Sequence, residues 1–492
     1  MLKSETGVLG WRVFFTRRGL PRPKTECDLL PELGDLDGWL DEWRIEDGSP
    51  YLIDPLGRYD VDLNDYFVTE LANEPVTTQE AVAYDLKRFL KFLWDNRRRR
   101  SWKVATSEDR AAFKHWRVTD IAGPRVELTT WDREVATVNQ FYRWAVRKGH
   151  AAWNPFLLRT SRSRDPRRTA AGAETPAEAS HKGPRNDVEW LPPALYRQWR
   201  DIGVRGFGVN GLPDRSFRGR FASRNAAYSD LKIRTGLRLA EQTSLSLFEL
   251  PEMVPGLLNQ RSWLPTAIAK AGSARRVYFP ASALKDVWDF VETDRAEAVE
   301  AAQEAGLYER ILNPLIVPDR RRPFVMVDGE RLSVAKLKHE ERRRVLIDTP
   351  QGLEPAALWL NQFGLPSKPS AWQEVFKTAN GRCERLRLRL RCHPHVLRHS
   401  FAVITLEQLW RGHIQELATM TPRQRETYQM IFGDPLNWVR MRLGHSSIEV
   451  TQIFLHTLQE LEMETRMALV PSGWEPTGVH PEDLQGAVDD AA

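Results

Sequence analysis

Residues 158–187 carry no apolar period. Arg159-Thr-Ser-Arg-Ser-Arg164 and Arg167-Arg168 give way to a mixture of Ala, Glu, Pro and Ser. Such a stretch has nothing to bury, so it reads as a basic linker. Cores must therefore form separately on its two sides. A chain of 492 residues leaves room for about three domains at ~150 residues each.

On the N-terminal side, residues 62–157 read as an all-helical unit. Val82, Leu86, Phe89 and Leu93 fall on one stripe at helical spacing. Thr77-Thr-Gln-Glu80 before that stripe has the form of a capping box, as does Thr106-Ser-Glu-Asp109 before Phe113 and Trp116. A third start at Thr129 to Asp132 leads into Val135, Val138, Phe141 and Ala145; Gly149 ends that helix and Asn154-Pro155 ends the block. Residues 1–61, rich in Pro, Gly, Asp and Trp, read as an irregular arm or cap.

Beyond the linker, 188–470 forms the largest domain, mostly helical. A short β-hairpin is expected over Leu264 to Phe279, turning at Ala271-Gly272-Ser273. Arg385-Leu-Arg-Leu-Arg-Leu-Arg391 alternates with period two and predicts a strand with one basic face. The fold class is mainly α with a small β-sheet. Residues 471–492 are an acidic tail with five acids and no Lys or Arg.

Charge narrows the partners. The 71 Lys and Arg exceed the 66 Asp and Glu by five, and without the five tail acids the excess is ten. A basic body suits a nucleic-acid partner. The 41% hydrophobic content can fill a core, and no apolar run reaches the ~18 residues of a membrane span. Met1-Leu-Lys-Ser-Glu-Thr lacks the apolar core of a secretion signal, and Cys27, Cys383 and Cys392 cannot make a disulfide framework. A cytoplasmic setting without a membrane partner is the expectation.

Two motifs look chemical but lack context. Gly206-Phe-Gly208-Val-Asn-Gly211 matches a dinucleotide loop, yet the preceding stretch looks helical and Pro213 follows at once. Cys383, Cys392, His393 and His395 lack the spacing of a zinc finger or ribbon. No metal or cofactor is expected.

Four other segments gain meaning from their order: Arg234-Thr-Gly-Leu-Arg238-Leu-Ala-Glu241, Lys270 at the hairpin turn, His395-Val-Leu-Arg398, and Leu443-Gly444-His445 running on to Phe454-Leu-His456. Singly each has a bland reading. Arg238 with Glu241 makes an ordinary helix pair, Lys270 a solvated turn lysine, and His445 a helix-start residue. In this order the segments resemble the tyrosine recombinase (phage integrase) family. The likeness covers about 188–470 and extends more loosely to 62–157, which resembles that family's core-binding domain.

The resemblance implies a site and a reaction. Arg238 and Arg398 match the family's phosphate-binding arginines, whose forks bind non-bridging oxygens in place of a metal. Lys270 is implied as the acid for the leaving 5′ oxygen, His395 as the proton partner of the nucleophile, and His445 as a phosphate donor. It also implies a clamp around duplex DNA, a synaptic homotetramer (a dimer on one site), and a four-way junction. Lys87, Arg88 and Lys91 on one helix face, and Arg143 and Arg147 on another, are candidate phosphate contacts.

The sequence departs from the family at one position. The nucleophilic tyrosine belongs nine residues after the LGH histidine, and that residue is Phe454. Phenylalanine cannot form the 3′-phosphotyrosine ester. A Tyr→Phe change that holds a DNA complex before cleavage is the favoured explanation. A natural DNA-binding chain without cleavage is the alternative. A type IB topoisomerase is a further one, weakened by the separate helical block ahead of the catalytic segments. Tyr428 lies before His445 on a different stretch and is a poor substitute nucleophile.

Overall fold

The computed structural model describes residues 10–17, 36–156, 158–160, 174–176, 188–327, 329–421 and 434–469. Cys27, Tyr428 and the acidic tail lie outside them. The chain divides into two compact units, Met1–Pro184 and Arg185–Ala492. Helices dominate both, with small sheets beside them. Among the described residues no helix is long and apolar enough to cross a membrane.

In the first unit β1 (Arg12–Phe15) pairs antiparallel with β2 (Pro50–Ile53), with α1 (Leu36–Glu42) between them in sequence. Trp11 and Leu52 are buried in the same core as the helices that follow. The segment read as an irregular arm thus contributes a two-stranded cap to that core. After α2 (Val61–Asp65) come α3 (Val76–Asn96), α4 (Ser107–Lys114) and α5 (Leu128–Arg147).

The stripes behave as their spacing demands. Leu86, Phe89 and Leu93 of α3 meet Val135, Val138, Phe141 and Ala145 of α5 in one cluster, each large side chain contributing about 1.5–3 kcal/mol on full burial. The Thr106 box forms, with Thr106 N donating to Asp109 Oδ2 at 2.8 Å. The Thr77 box does not. Pro75 occupies the cap position and α3 begins at Val76. Thr77 therefore falls inside the first turn, where its hydroxyl cannot reach the orphan N–H groups. Thr129 fails likewise, because α5 starts at Leu128 behind Glu127. Residues 158–160 and 174–176, inside the predicted linker, pair as short strands β3 (Leu158–Thr160) and β4 (Glu174–Pro176).

The second unit opens with α6 (Pro193–Trp199), α7 (Ala222–Thr235) and α8 (Leu239–Thr243). The expected hairpin is β5 (Asn259–Leu264) against β6 (Arg275–Pro280), with Leu264 opposite Arg275. Two 3₁₀ turns separate the strands. After α9 (Ala281–Phe290) and α10 (Ala296–Glu304) come β7 (Leu315–Val317), the hairpin β8 (Phe324–Val327) and β9 (Glu330–Ser333), α11 (His339–Arg342), β10 (Val345–Thr349) and β11 (Gly352–Pro355). The strands β11, β10 and β7 form one sheet in that order. Then follow α12 (Pro369–Arg385), α13 (Pro394–Thr419) and two last described helices, Pro435–Leu443 and Glu449–Leu469.

Tyr228 of α7 stacks on Trp372 of α12 with ring centroids 3.5 Å apart, and Trp359 meets both rings edge-on. A second cluster, with Phe401, Leu406, Val439, Leu443 and Phe454, holds α13 to the last two helices.

The strand expected over 385–391 is absent. Arg385 ends α12, Arg387 takes φ +59°, and Leu388 N returns to Cys383 O at 2.9 Å. Leu388 and Leu390 still pack on the core. The alternation is real, but no neighbouring strand completes a ladder.

Candidate functional site

The site grows from the turn between α7 and α8. Gly236 caps α7 with φ +64°, and a Cβ there would meet the Phe401 ring at 2.3 Å. Only glycine suits both the left-handed backbone and that approach. The chain then extends through Arg238 into α8, where Glu241 is 1% exposed.

Glu241 is the hub. It accepts from Arg238 N at 2.9 Å and Arg238 Nη1 at 2.8 Å. It also accepts from Arg275 Nη2 at 2.6 Å and, more weakly, from Lys270 N at 3.4 Å. Burial alone would raise its pKa, but Arg275 and Arg238 hold it down to about 2. Sequence reading reduced Glu241 to a surface-type ion pair and overlooked Arg275. The missing signal is that donors arrive from β6 and the hairpin turn as well as from α8.

Three guanidiniums then converge on one helix end. Arg275 Nε donates to Arg442 O at 2.7 Å, Arg398 Nη2 to Leu443 O, and Arg238 Nη2 to Gly444 O at 3.1 Å. These carbonyls end Pro435–Leu443, where the helix dipole is negative and carbonyls lack intrahelical partners. Arg398 also donates to Gly236 O, and so ties the ends of two helices together. Gly444 has φ +63°, and a Cβ on it would sit 3.0 Å from Ser273 Oγ and 3.1 Å from Arg275 Nη1. The LGH motif is thus a helix stop that gathers three arginines.

Arg238, Lys270, His395 and Arg398 line one open cleft of about 850 Å³. Lys270 stands exposed on the turn, where Ala271 takes φ +52°. Desolvation, then His399 and Arg398, push His395 down to about 4. Burial, then Arg398 and Arg238, push His445 down to about 3. Arg398, 4% exposed, is lowered by burial and then by Arg238 beside it. Burial is the larger cause in each case, and the neighbouring cations add to it in the direction that a bound anion would oppose.

His445 and Phe454 stand next to the cleft without lining it. His445 Nδ1 lies 3.0 Å from Thr451 Oγ1, a second partner not foreseen. The Phe454 ring lies 6.2 Å from the His445 ring and 5.5 Å from that of His399, which in turn lies 4.2 Å from His395. Phe454 is 4% exposed.

Lys232, also unforeseen, lies beneath the same cleft. It is 1% exposed and donates to Leu237 O at 2.7 Å. Its signal was available, since it shares the core-facing side of α7 with Tyr228 and Thr235. The two motifs set aside have other roles. Gly208 N closes a tight loop on Leu212 O at 2.7 Å, preceded by a helical segment rather than a strand. Cys383 and Cys392 are buried core thiols.

In the first unit the candidate DNA contacts are less free than sequence suggested. Arg88 bonds Asp85 at 2.5 Å, and Asp85 is 1% exposed and also holds Arg133. Lys91 pairs with Asp95, and Arg147 with Glu70 at 2.6 Å. Lys87 sits 5.9 Å over the Tyr84 ring, and Arg143 is exposed.

No family model matches the chain. A stretch of 101 residues is 37% identical to the tyrosine recombinase XerD of Corynebacterium glutamicum, covering 20% of this chain and 24% of that protein. Another of 119 residues is 31% identical to XerD of Bifidobacterium longum, covering 24% of this chain and 30% of that one. The chain is similar to tyrosine recombinases. The matches span about a quarter to a third of those relatives. Among solved structures, XerH recombinase bound to a palindromic difH substrate matches at TM-score 0.43 and 14% identity, covering 84% of this chain and 86% of that one. The Tn1549 transposon integrase with transposon right-end DNA gives 0.43 and 14%, covering 82% and 98%.

Proposed function

We propose that this chain is a site-specific DNA recombinase of the tyrosine type, and that Phe454 stops it before cleavage. One observation carries the reading. Cations from separate stretches of chain, Arg238, Lys270 and Arg398, line a single cleft with the neutral imidazole of His395, and their charge is offset at close range by one buried carboxylate, Glu241. A backbone phosphate of duplex DNA is the anion that such a cleft suits.

The reaction follows from the groups. Attack on phosphorus by a phenol oxygen at position 454 forms the 3′-phosphotyrosine bond as the P–O5′ bond breaks. The Arg238 and Arg398 forks neutralise the added charge on the non-bridging oxygens. Lys270 delivers a proton to the departing 5′ oxygen, and His395 takes the proton of the phenol. His445, fixed by Thr451, donates to a phosphate oxygen. Reversal by a 5′ hydroxyl reseals the strand without ATP, since the ester conserves the bond energy. With Phe454 the ester cannot form, so the chain holds its duplex uncut. Strand exchange in pairs through a four-way junction would take place within a homotetramer on DNA, in the cytoplasm.

A second reading, a natural protein that binds DNA without cutting it, draws on the close packing of Phe454 in the apolar cluster. The test is Phe454→Tyr incubated with a random-sequence duplex library. SDS-resistant adducts are captured, and their DNA is sequenced. A recombinase yields adducts with one enriched sequence. Retained duplex binding with no adduct supports the binder instead. Adducts without sequence preference point to a topoisomerase.

A further inference from the structure

Lys232 has no part in the reaction above, yet a lysine at 1% exposure needs a reason. Its one hydrogen bond goes to the carbonyl of Leu237, the residue that precedes Arg238. Around it stand Arg398 and His395 from α13, Arg238 and Glu241 at α8, and Cys392 in the loop before α13; Arg275 from β6 pairs with that Glu241. Lys377 and Glu384 of α12 share the cleft wall. Buried cations thus outnumber the one buried carboxylate, Glu241.

We propose that Lys232 is a positioning residue of the anion site, holding the turn that presents Arg238 and binding a proton together with the anion that enters the cleft. This rests on the reading of the cleft as a phosphate site. Geometry supports it on two counts. The Lys232 Nζ is tied to the turn, so Arg238 keeps its place. It also lies beneath the cleft beside Arg398, so an anion arriving above it supplies countercharge to both. Burial and then Arg398 push its pKa down to about 7, while Glu241 pulls the other way. Without an anion the protein therefore holds Lys232 largely neutral above that pH, and a bound anion favours the ammonium. Burial lowers Arg398 only to about 9, two units above Lys232, so it and Arg238 stay charged where Lys232 titrates. The low values of His395 and His445 keep both neutral in the same window.

The test uses the full chain and sulfate, a dianion that does not itself titrate near neutrality. Sulfate affinity is measured by calorimetry from pH 7 to 9 in two buffers of different ionisation heat, for the parent, Lys232→Met and Lys232→Arg. The parent is expected to take up about half a proton at pH 7 and close to one above pH 8, where affinity falls by roughly tenfold per pH unit. Lys232→Met should bind more weakly at pH 7, with no proton uptake and a flat profile. Lys232→Arg should restore affinity but keep the profile flat, a split that a purely structural role would not give. Proton uptake in Lys232→Met equal to the parent's overturns the proposal. Duplex binding, measured in parallel, reports on the functional reading separately. Failure there with the sulfate result intact removes DNA and leaves Lys232 in place.

Discussion

Replacing Glu241 by Gln tests the hub of the site. The carboxylate is 1% exposed and takes hydrogen bonds from Arg238, Arg275 and Lys270. Its pKa falls from an ordinary 4.5 to about 2. At about 1.4 kcal/mol per unit, that shift corresponds to about 3 kcal/mol. Breaking a buried ion pair by removing one partner costs about 3–5 kcal/mol, so the two routes agree. For the unit Arg185–Ala492 a loss of about 3 kcal/mol lowers the melting temperature by about 5 °C. The sign is fixed. A carboxylate with a depressed pKa contributes stability above pH 4.5, and that contribution drains away as pH falls toward 2. Urea unfolding, read by pulsed hydrogen exchange on peptides of α7 and α8, isolates this unit from the other. Glu241→Gln should be less stable by about 3 kcal/mol at pH 7, with the gap narrowing from pH 4.5 to 3. A gap under about 1 kcal/mol at pH 7, or one unchanged at pH 3, refutes the reasoning.

Two further outcomes follow from the same geometry. Gly444→Ala forces an L residue into φ +63° beside Arg275, and should cost at least about 1–2 kcal/mol in urea unfolding. In the first unit, Lys87→Ala with Lys91→Ala should reduce the salt slope of duplex binding by up to about two ions. Arg88→Ala should instead destabilise that unit, because it removes a partner from buried Asp85; an unchanged slope in the lysine pair removes that face from the interface.

The sequence carried much of this architecture, and its failures have physical causes. The stripes of α3 and α5 were legible because helical burial repeats every three to four residues. The 385–391 strand was misread because alternation describes one strand, while a ladder needs a second. The helix starts expected at Thr77 and Thr129 fall one residue inside the true ends, where Pro75 and Glu127 take the cap positions. The convergence of Arg238 and Arg398 was expected from motif order, yet the order gave no hint that both donate to the carbonyl end of Pro435–Leu443. Arg88 looked like a surface charge, although the Asp85 three residues earlier signalled a helix pair. Lys232 was passed over as one lysine among many, though its place on the buried side of α7 marked it.

The central claim is that Arg238 and Arg398 hold one backbone phosphate of a duplex. The most direct measurement scans single methylphosphonates along the duplex recovered from the Phe454→Tyr selection and titrates each with the non-cleaving Phe454 chain. Neutralising one phosphate should weaken binding by about 10–100-fold, the worth of its charge-assisted hydrogen bonds to the two arginines. The same neutralisation should cost Arg238→Ala little. If no single phosphate stands out, or if Arg238→Ala loses as much as the parent at that position, the cleft does not hold the phosphate and the account is wrong.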